Sequence, residues 1–155
     1  MMIRTSLLIL AAGLLVVDMA AGQQVEKDVG VVSEEVASQL QAFSYREGPV
    51  STLRFRGTPI ALAADGSGKV EFQDGRSRVE VSVRKLPQPA TLGPYMTYVL
   101  WAVTIDGRAL NLGSIELSGD RGVLKTSAPL SQFALIVTAE PHFAVSAPSP
   151  WTTRR

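Results

Sequence analysis

The chain has 155 residues, 15 Lys plus Arg against 14 Asp plus Glu, one His and no Cys, and 46% of its side chains are hydrophobic. That length suits one ordinary globular domain, and a formal charge of +1 supplies no global field to recruit nucleic acid. The missing cysteines exclude a disulfide scaffold, a thiolate metal site and a cysteine nucleophile, and nothing in the composition implies a cofactor.

Met1 to Thr5 carries one positive charge at Arg4. Ser6 to Val17 is a mostly aliphatic run, and the small residues Ala20, Ala21 and Gly22 follow it. This pattern reads as a secretory signal helix over residues 1–22, cut after Ala21 or Gly22, with an uncut anchor as the alternative. Asp18 interrupts the run before the roughly 20 apolar residues that a spanning helix needs. No membrane span is therefore expected after cleavage, and the expected compartment is the periplasm or the exterior.

Residues 23–48 are polar and irregular, except that Val36, Leu40 and Phe43 recur at helical spacing behind Ser33, Glu34 and Glu35. Ser33 can accept from the free amides of a first turn and the two acids favour its positive end. One short amphipathic helix is predicted there, ahead of the sheet.

From Thr52 onward the period becomes strand-like, and the punctuation becomes Gly, Pro and Asp. Leu53 and Phe55 alternate with Thr52, Arg54 and Arg56. Val70 and Phe72 alternate with Lys69, Glu71 and Gln73, and Val79, Val81 and Val83 with Arg78, Glu80, Ser82 and Arg84. Each segment has one apolar and one polar face, as antiparallel strands around a shared core require.

A two-residue turn at Asp74-Gly75 sets the register of its flanking strands. Gln73 then faces Arg76, Phe72 faces Ser77, Glu71 faces Arg78, Val70 faces Val79 and Lys69 faces Glu80. The same turn type at Asp106-Gly107 sets Val103 opposite Leu110 and Trp101 opposite Leu112, both on the core side. Tyr98 to Ile105 is apolar on both phases, which predicts a deeply buried strand. Leu110 and Leu112 fall on one phase, Ile115 and Leu117 on the other, and a bulge at Gly113 brings all four inward.

Phe133, Leu135, Val137 and Ala139 make a last strand, continued by Phe143 and Val145 after Pro141. Ala147-Pro148-Ser149-Pro150 ends regular structure. The predicted fold class is all-β, an antiparallel β-sandwich of immunoglobulin-like or transthyretin-like type. It spans residues 49–146, with a flexible tail over 147–155.

Several segments occur in a familiar order: Gly68 to Val83, Leu86-Pro-Gln-Pro89, Tyr98-Val-Leu-Trp101, Asn111-Leu-Gly113 and Ala134 to Pro141. This order resembles the extracytoplasmic β-domain of anti-sigma-K factors, and it resembles uncharacterised exported envelope proteins more closely. Some of the latter set such a domain ahead of a peptidoglycan-binding module like that of outer-membrane protein A. The resemblance implies a β-sandwich outside the cytoplasm with a role in the bacterial envelope.

For catalysis the sequence offers little. His142, the one histidine, lies between Pro141 and Phe143 near Glu140 and reads as a capping or surface residue; no Gly-x-Ser-x-Gly elbow accompanies it. Glu71 and Glu80 face cations in the predicted register, which favours their charged forms and makes them poor general acids, and all four candidate carboxylates, Glu116 and Glu140 included, read as solvated strand residues. Asp65-Gly66-Ser67-Gly68 and Gly119-Asp120-Arg121-Gly122 read as turns rather than calcium loops, because neither carries the spaced acids of an EF-hand.

The basic residues carry more. Arg54, Arg56, Arg76, Arg78 and Arg84 all fall on the polar phase of their strands, so a shared sheet would present them as an anion-binding face. Tyr95 is a candidate stacking platform for a sugar, whereas Trp101 reads as core. The expected function is a non-enzymatic interaction or sensing module of the cell envelope, with an envelope protein or polysaccharide as partner. The alternative is a binding protein for an anionic polymer or carbohydrate, using Arg54, Arg56, Arg76, Arg78, Arg84 and Tyr95 as ligand-binding residues. Neither a metal nor a catalytic set is expected.

Overall fold

The computed structural model describes residues 42–57 and 61–149, together with the backbone of Leu15–Met19. Among these residues the regular structure is β throughout, except for one 3-10 turn at Pro89–Thr91. The strands are β1 (Leu15–Met19), β2 (Phe43–Ser44), β3 (Val50–Gly57), β4 (Asp65–Gln73) and β5 (Arg76–Arg84). They continue with β6 (Thr97–Val103), β7 (Ala109–Ile115), β8 (Leu117–Ser118), β9 (Arg121–Ala128) and β10 (Gln132–Glu140).

Two antiparallel sheets of four and five strands pack as a sandwich. The smaller runs β7-β6-β10 with β2 also on β10, and the larger runs β3-β4-β5-β9-β8. The backbone of β1 pairs with both β3 and β10 and so joins the sheets along one side. Along the other side the Thr126 hydroxyl of β9 donates to the Leu112 carbonyl of β7 at 2.9 Å.

The β4–β5 hairpin has the register that the Asp74-Gly75 turn predicts, from Gln73 opposite Arg76 to Lys69 opposite Glu80. Asp74 and Gly75 both adopt positive φ, 52° and 74°, as a two-residue hairpin turn of this hand requires. Strict alternation follows: Val70, Val79, Val81 and Val83 are buried beneath the sheet, while Lys69, Arg78, Glu80 and Arg84 stand in solvent.

Asp65-Gly66-Ser67-Gly68 is not a turn but the first half of β4. Its glycines meet a packing requirement instead. A Cβ on Gly68 would lie 3.1 Å from the Phe55 ring, and one on Gly66 would lie 2.6 Å from the Ser82 carbonyl oxygen. The missing side chain at Gly68 lets Phe55, 1% exposed, lie across β4, and the one missing at Gly66 lets β5 approach.

The second hairpin is one residue out of its predicted register. Gly107 N–H donates to the Thr104 carbonyl and Thr104 N–H to the Arg108 carbonyl, each at 2.9 Å, so the loop has three residues, Ile105, Asp106 and Gly107. Val103 therefore pairs with Ala109, Ala102 with Leu110 and Trp101 with Asn111. The Asp106 carboxylate selects the longer loop: it accepts from the Thr104 hydroxyl and from Arg108 Nε at 2.7 Å. These two hydrogen bonds hold it below the ordinary carboxylate range.

The bulge expected at Gly113 is present: the register jumps between Leu100 opposite Gly113 and Trp101 opposite Asn111, leaving Leu112 as the extra residue. Leu112 and Ile115 are buried and Leu117 is partly so, but Leu110 remains 40% exposed.

Trp101 is fully buried, although not on the side that the sequence predicts. Ile115, paired with Tyr98, lies against Gly122 of β9, so Tyr98, Leu100, Leu135 and Val137 face the opposite sheet. Trp101 shares the outer face with Ile136 and Thr138. The C-terminal segment crosses that face, where Asn111 Nδ2 donates to the Phe143 and Val145 carbonyls, both at 2.9 Å.

The predicted helix behind Ser33 falls mainly outside the described residues, and its last member, Phe43, belongs to β2 and is 4% exposed. The predicted signal helix lies outside them too, save that Leu15–Met19 is extended. That correction has a physical basis. Val16 and Val17 are β-branched, and the free backbone edges of β3 and β10 offer pairing partners there.

Two predictions follow from this packing. Trp101→Ala is expected to lower unfolding stability by about 3–5 kcal/mol, read as a shift in urea midpoint at unchanged slope. Burial also pushes the Tyr45 and Tyr98 phenols above their ordinary 10.0, so the native state holds protons that the unfolded chain releases. Stability is then complete below pH 10.0 and falls as the pH rises beyond it. A urea midpoint measured upward from pH 8 should drop, and the Tyr45→Phe, Tyr98→Phe double variant should flatten the decline.

Candidate functional site

The solvent face of the five-stranded sheet carries about half of the chain's basic residues. Because β3, β4, β5 and β9 are mutually in register, alternate residues form cross-strand rows. One row is Arg56, Asp65 and Arg84; the next is Arg54, Ser67 and Ser82 with Val123. Thr52, Lys69, Glu80 and Lys125 come next, and then Val50, Glu71, Arg78 and Ser127. Arg76 stands beside the turn, donating to Ser127 Oγ at 3.2 Å. All five candidate arginines therefore share one face with Lys69 and Lys125, opposed by Asp65, Glu71 and Glu80, and Asp18 of β1 pairs opposite Arg54.

Ion pairing divides these cations into two groups. Arg84 clamps Asp65 through both nitrogens, at 2.9 and 2.8 Å, Lys125 reaches Glu80 at 3.4 Å, and Arg78 lies 4.0 Å from Glu71. The sequence sets Glu80 opposite Lys69, and the register agrees, but the carboxylate turns to Lys125 on the neighbouring strand. Lys69 is left without a hydrogen-bond or ion-pair partner among the described residues, Arg54 stands opposite Asp18 of β1 in the register, and Arg56 has an interaction of its own.

Two shallow grooves lie on this face. One of about 590 Å³ is lined by Arg54, Arg56, Arg84, Ser67, Ser82 and Asp65. The other, about 670 Å³, is lined by Lys69, Arg78, Lys125, Glu71 and Glu80, among others. The first holds three guanidinium groups against one carboxylate, and that carboxylate is neutralised by Arg84.

Tyr95 does not join them. It belongs to the loop entering β6 in the other sheet and packs partly against the core. His142 is exposed, and its Nδ1 accepts the Ala144 N–H at 3.2 Å, a local turn contact. No group of acids and histidine able to hold a metal ion occurs among the described residues.

Sequence reasoning missed a buried polar network among the described residues, and its reading of Glu140 as a solvated strand residue is corrected by it. Glu140 is 0% exposed. Trp101 Nε1 donates to Thr138 Oγ1 at 2.8 Å, and the Thr138 hydroxyl donates to Glu140 Oε1. Ser149 supplies its N–H to Oε1 at 2.9 Å and its hydroxyl to Oε2. The carboxylate thus ties residue 149 to β10 and fixes the segment covering Trp101. Its oxygens accept from two hydroxyls and an amide, so the carboxylate is engaged in holding the segment rather than paired with His142. An acid and a serine nine residues apart, flanking the Phe143 and Val145 pair, carry no sequence motif for such a tie.

Replacing Glu140 with Leu is expected to lower stability by about 1–3 kcal/mol, because the Thr138 and Ser149 donors lose their acceptor. Limited proteolysis should then cut within residues 141–149 faster than in the unaltered protein. No protein-family model matches the chain, and no significant similarity links it to a curated protein or to a solved structure.

Proposed function

We propose that this protein is an exported, non-enzymatic β-sandwich of the bacterial envelope that docks to anionic envelope material through the solvent face of its larger sheet. One observation carries this reading: Arg54, Arg56, Arg76, Arg78, Arg84, Lys69 and Lys125 share that face with Asp65, Glu71 and Glu80, and with Asp18 opposite Arg54, in a chain whose formal charge is only +1. Strand alternation has concentrated the positive charge on one side. A cationic field of this kind raises the local concentration of a polyanion and weakens as salt screens it.

Support for the compartment comes from the apolar run ahead of Ala20, Ala21 and Gly22, and cleavage there would remove Leu15–Met19 and leave β3 and β10 with free edges in the exported protein. The order of segments from Gly68 to Pro141 adds to it, through its likeness to the extracytoplasmic domain of anti-sigma-K factors. An immunoglobulin-like or transthyretin-like topology accords with that likeness. The absence of enzymatic activity is proposed from the local roles of His142 and Glu140, each of which is engaged in holding a turn or a chain segment.

The reading is tested by chromatography on immobilised heparin. The protein is expected to bind at low ionic strength and to elute well below 1 M NaCl, where charges a few ångströms apart are already screened. The Arg54→Gln, Lys69→Gln double variant should elute markedly earlier. Arg108→Gln, in the β6–β7 loop, should elute with the unaltered protein. Flow-through of the unaltered protein at low salt would overturn the reading.

A further inference from the structure

We infer that the exported, signal-cleaved protein carries an open slot between β3 and β10 that takes an extended strand of another exported protein, an assignment that rests on the export reading and on cleavage after Ala21 or Gly22. In the uncut chain Leu15–Met19 fills this slot. It pairs with β3 from Leu15 opposite Gly57 to Met19 opposite Leu53, and with β10 through Leu15 opposite Val137 and Val16 opposite Ile136. Cleavage removes this strand and keeps both of its neighbours.

The gap left behind differs from an ordinary sheet edge. Natural edges are guarded by charge, proline or a bulge, whereas loss of this strand uncovers apolar ground. Leu53 and Phe55 of β3 and Val137 of β10 belong to the core, each at most 1% exposed with the strand in place. Unpaired backbone donors and acceptors then border a floor of buried side chains. Strand addition uses this combination: backbone hydrogen bonds supply affinity, and alternate side chains select the partner.

The register states what the occupant must be. A strand lying along β3 sets its first, third and fifth residues on the phase of Gly57, Phe55 and Leu53, toward the core. Its second and fourth residues fall on the phase of Arg56 and Arg54, toward solvent. Leu15, Val17 and Met19 hold the first set of positions, and Asp18 stands opposite Arg54. The partner strand is therefore apolar at alternate positions and acidic at the fourth, since opposite charges on facing strands attract.

The cleaved chain has no such strand to spare. Residues 22–41, 58–60 and 150–155 contain no five-residue window with apolar side chains at the first, third and fifth positions, and the other residues are already placed in the fold. A second copy lacks the pattern for the same reason. The donor is thus a different protein in the same compartment.

The test uses exported protein whose start at Gly22 or Gln23 is verified by N-terminal sequencing, titrated with a synthetic peptide of residues Gly13–Ala21. Backbone amides within Leu53–Gly57 are expected to exchange with solvent more slowly once the peptide is bound. The thermal midpoint should rise by several degrees at saturation, a readout that serves even where the empty slot loosens the fold. A peptide carrying Val17→Lys should bind at least about tenfold more weakly, because a charge then takes the phase of Phe55. Asp18→Arg in the peptide should weaken binding about two- to fivefold, and Arg54→Glu in the protein should restore it.

Absence of peptide binding, or equal affinity for the Val17→Lys peptide, would overturn the slot. Slow exchange within Leu53–Gly57 before any peptide is added would do the same, as the sign that β3 and β10 have closed on each other. Protection that appears only as the cleaved protein dimerises would replace the foreign donor by a second copy and overturn the choice of partner. Exported protein that still begins at Met1 would overturn cleavage and slot together, while retention on heparin would continue to judge the cationic face by itself.

Discussion

The β4–β5 hairpin turn at Asp74-Gly75 is the constraint on which the larger sheet depends. Side chains alternate across a strand with period two, so a one-residue slip between β4 and β5 would carry Val79, Val81 and Val83 into water and draw Arg78, Glu80 and Arg84 inward. The turn leaves no room for such a slip, since its two residues both need positive φ and the strands leave it already paired. With β4 and β5 set, β3 and β9 pair on either side in the same phase, and the rows that bring Arg54, Ser67 and Ser82 together are settled.

Closure of the sandwich uses different means at its two sides. Between β7 and β9 a side-chain hydroxyl reaches a backbone carbonyl, while between β3 and β10 the backbone of Leu15–Met19 fills the gap as a strand. Within the body the glycines of β4 admit the Phe55 ring, so the larger sheet approaches its own core closely. The smaller sheet buries both of its faces. One meets the opposite sheet, and the other is covered by the C-terminal segment that Asn111 and Glu140 hold down. A buried carboxylate is tolerable there because three donors satisfy it.

Charge on the surface is organised by competition among neighbours rather than by count. Asp65 and Glu80 each choose one cation, and the choice of Glu80 leaves Lys69 without an ion-pair partner among the described residues. Exposed pairs of this sort add little to stability. Their effect is on the potential above the sheet, where they decide which cations remain available to a ligand.

Much of the larger sheet is legible in the sequence. Alternation from Thr52 to Arg84 and the Asp74-Gly75 turn determine strand type, facing and register, because period and turn geometry are local properties. The placement of Arg54, Arg56, Arg76, Arg78 and Arg84 on one face follows directly. Other features were decided by tertiary structure. The Asp106-Gly107 loop gained a residue because the Asp106 carboxylate captured Thr104 and Arg108. Asp65 to Gly68 became strand because neighbouring strands paired with it, and Trp101 lies on the outer face because Ile115, on the phase of Tyr98, meets Gly122 of the other sheet. Which cations stay unpaired, and where Glu140 finds its donors, depend on contacts between residues far apart in the chain. Pattern along a strand determines which way a side chain points, but only the meeting of strands determines what it touches.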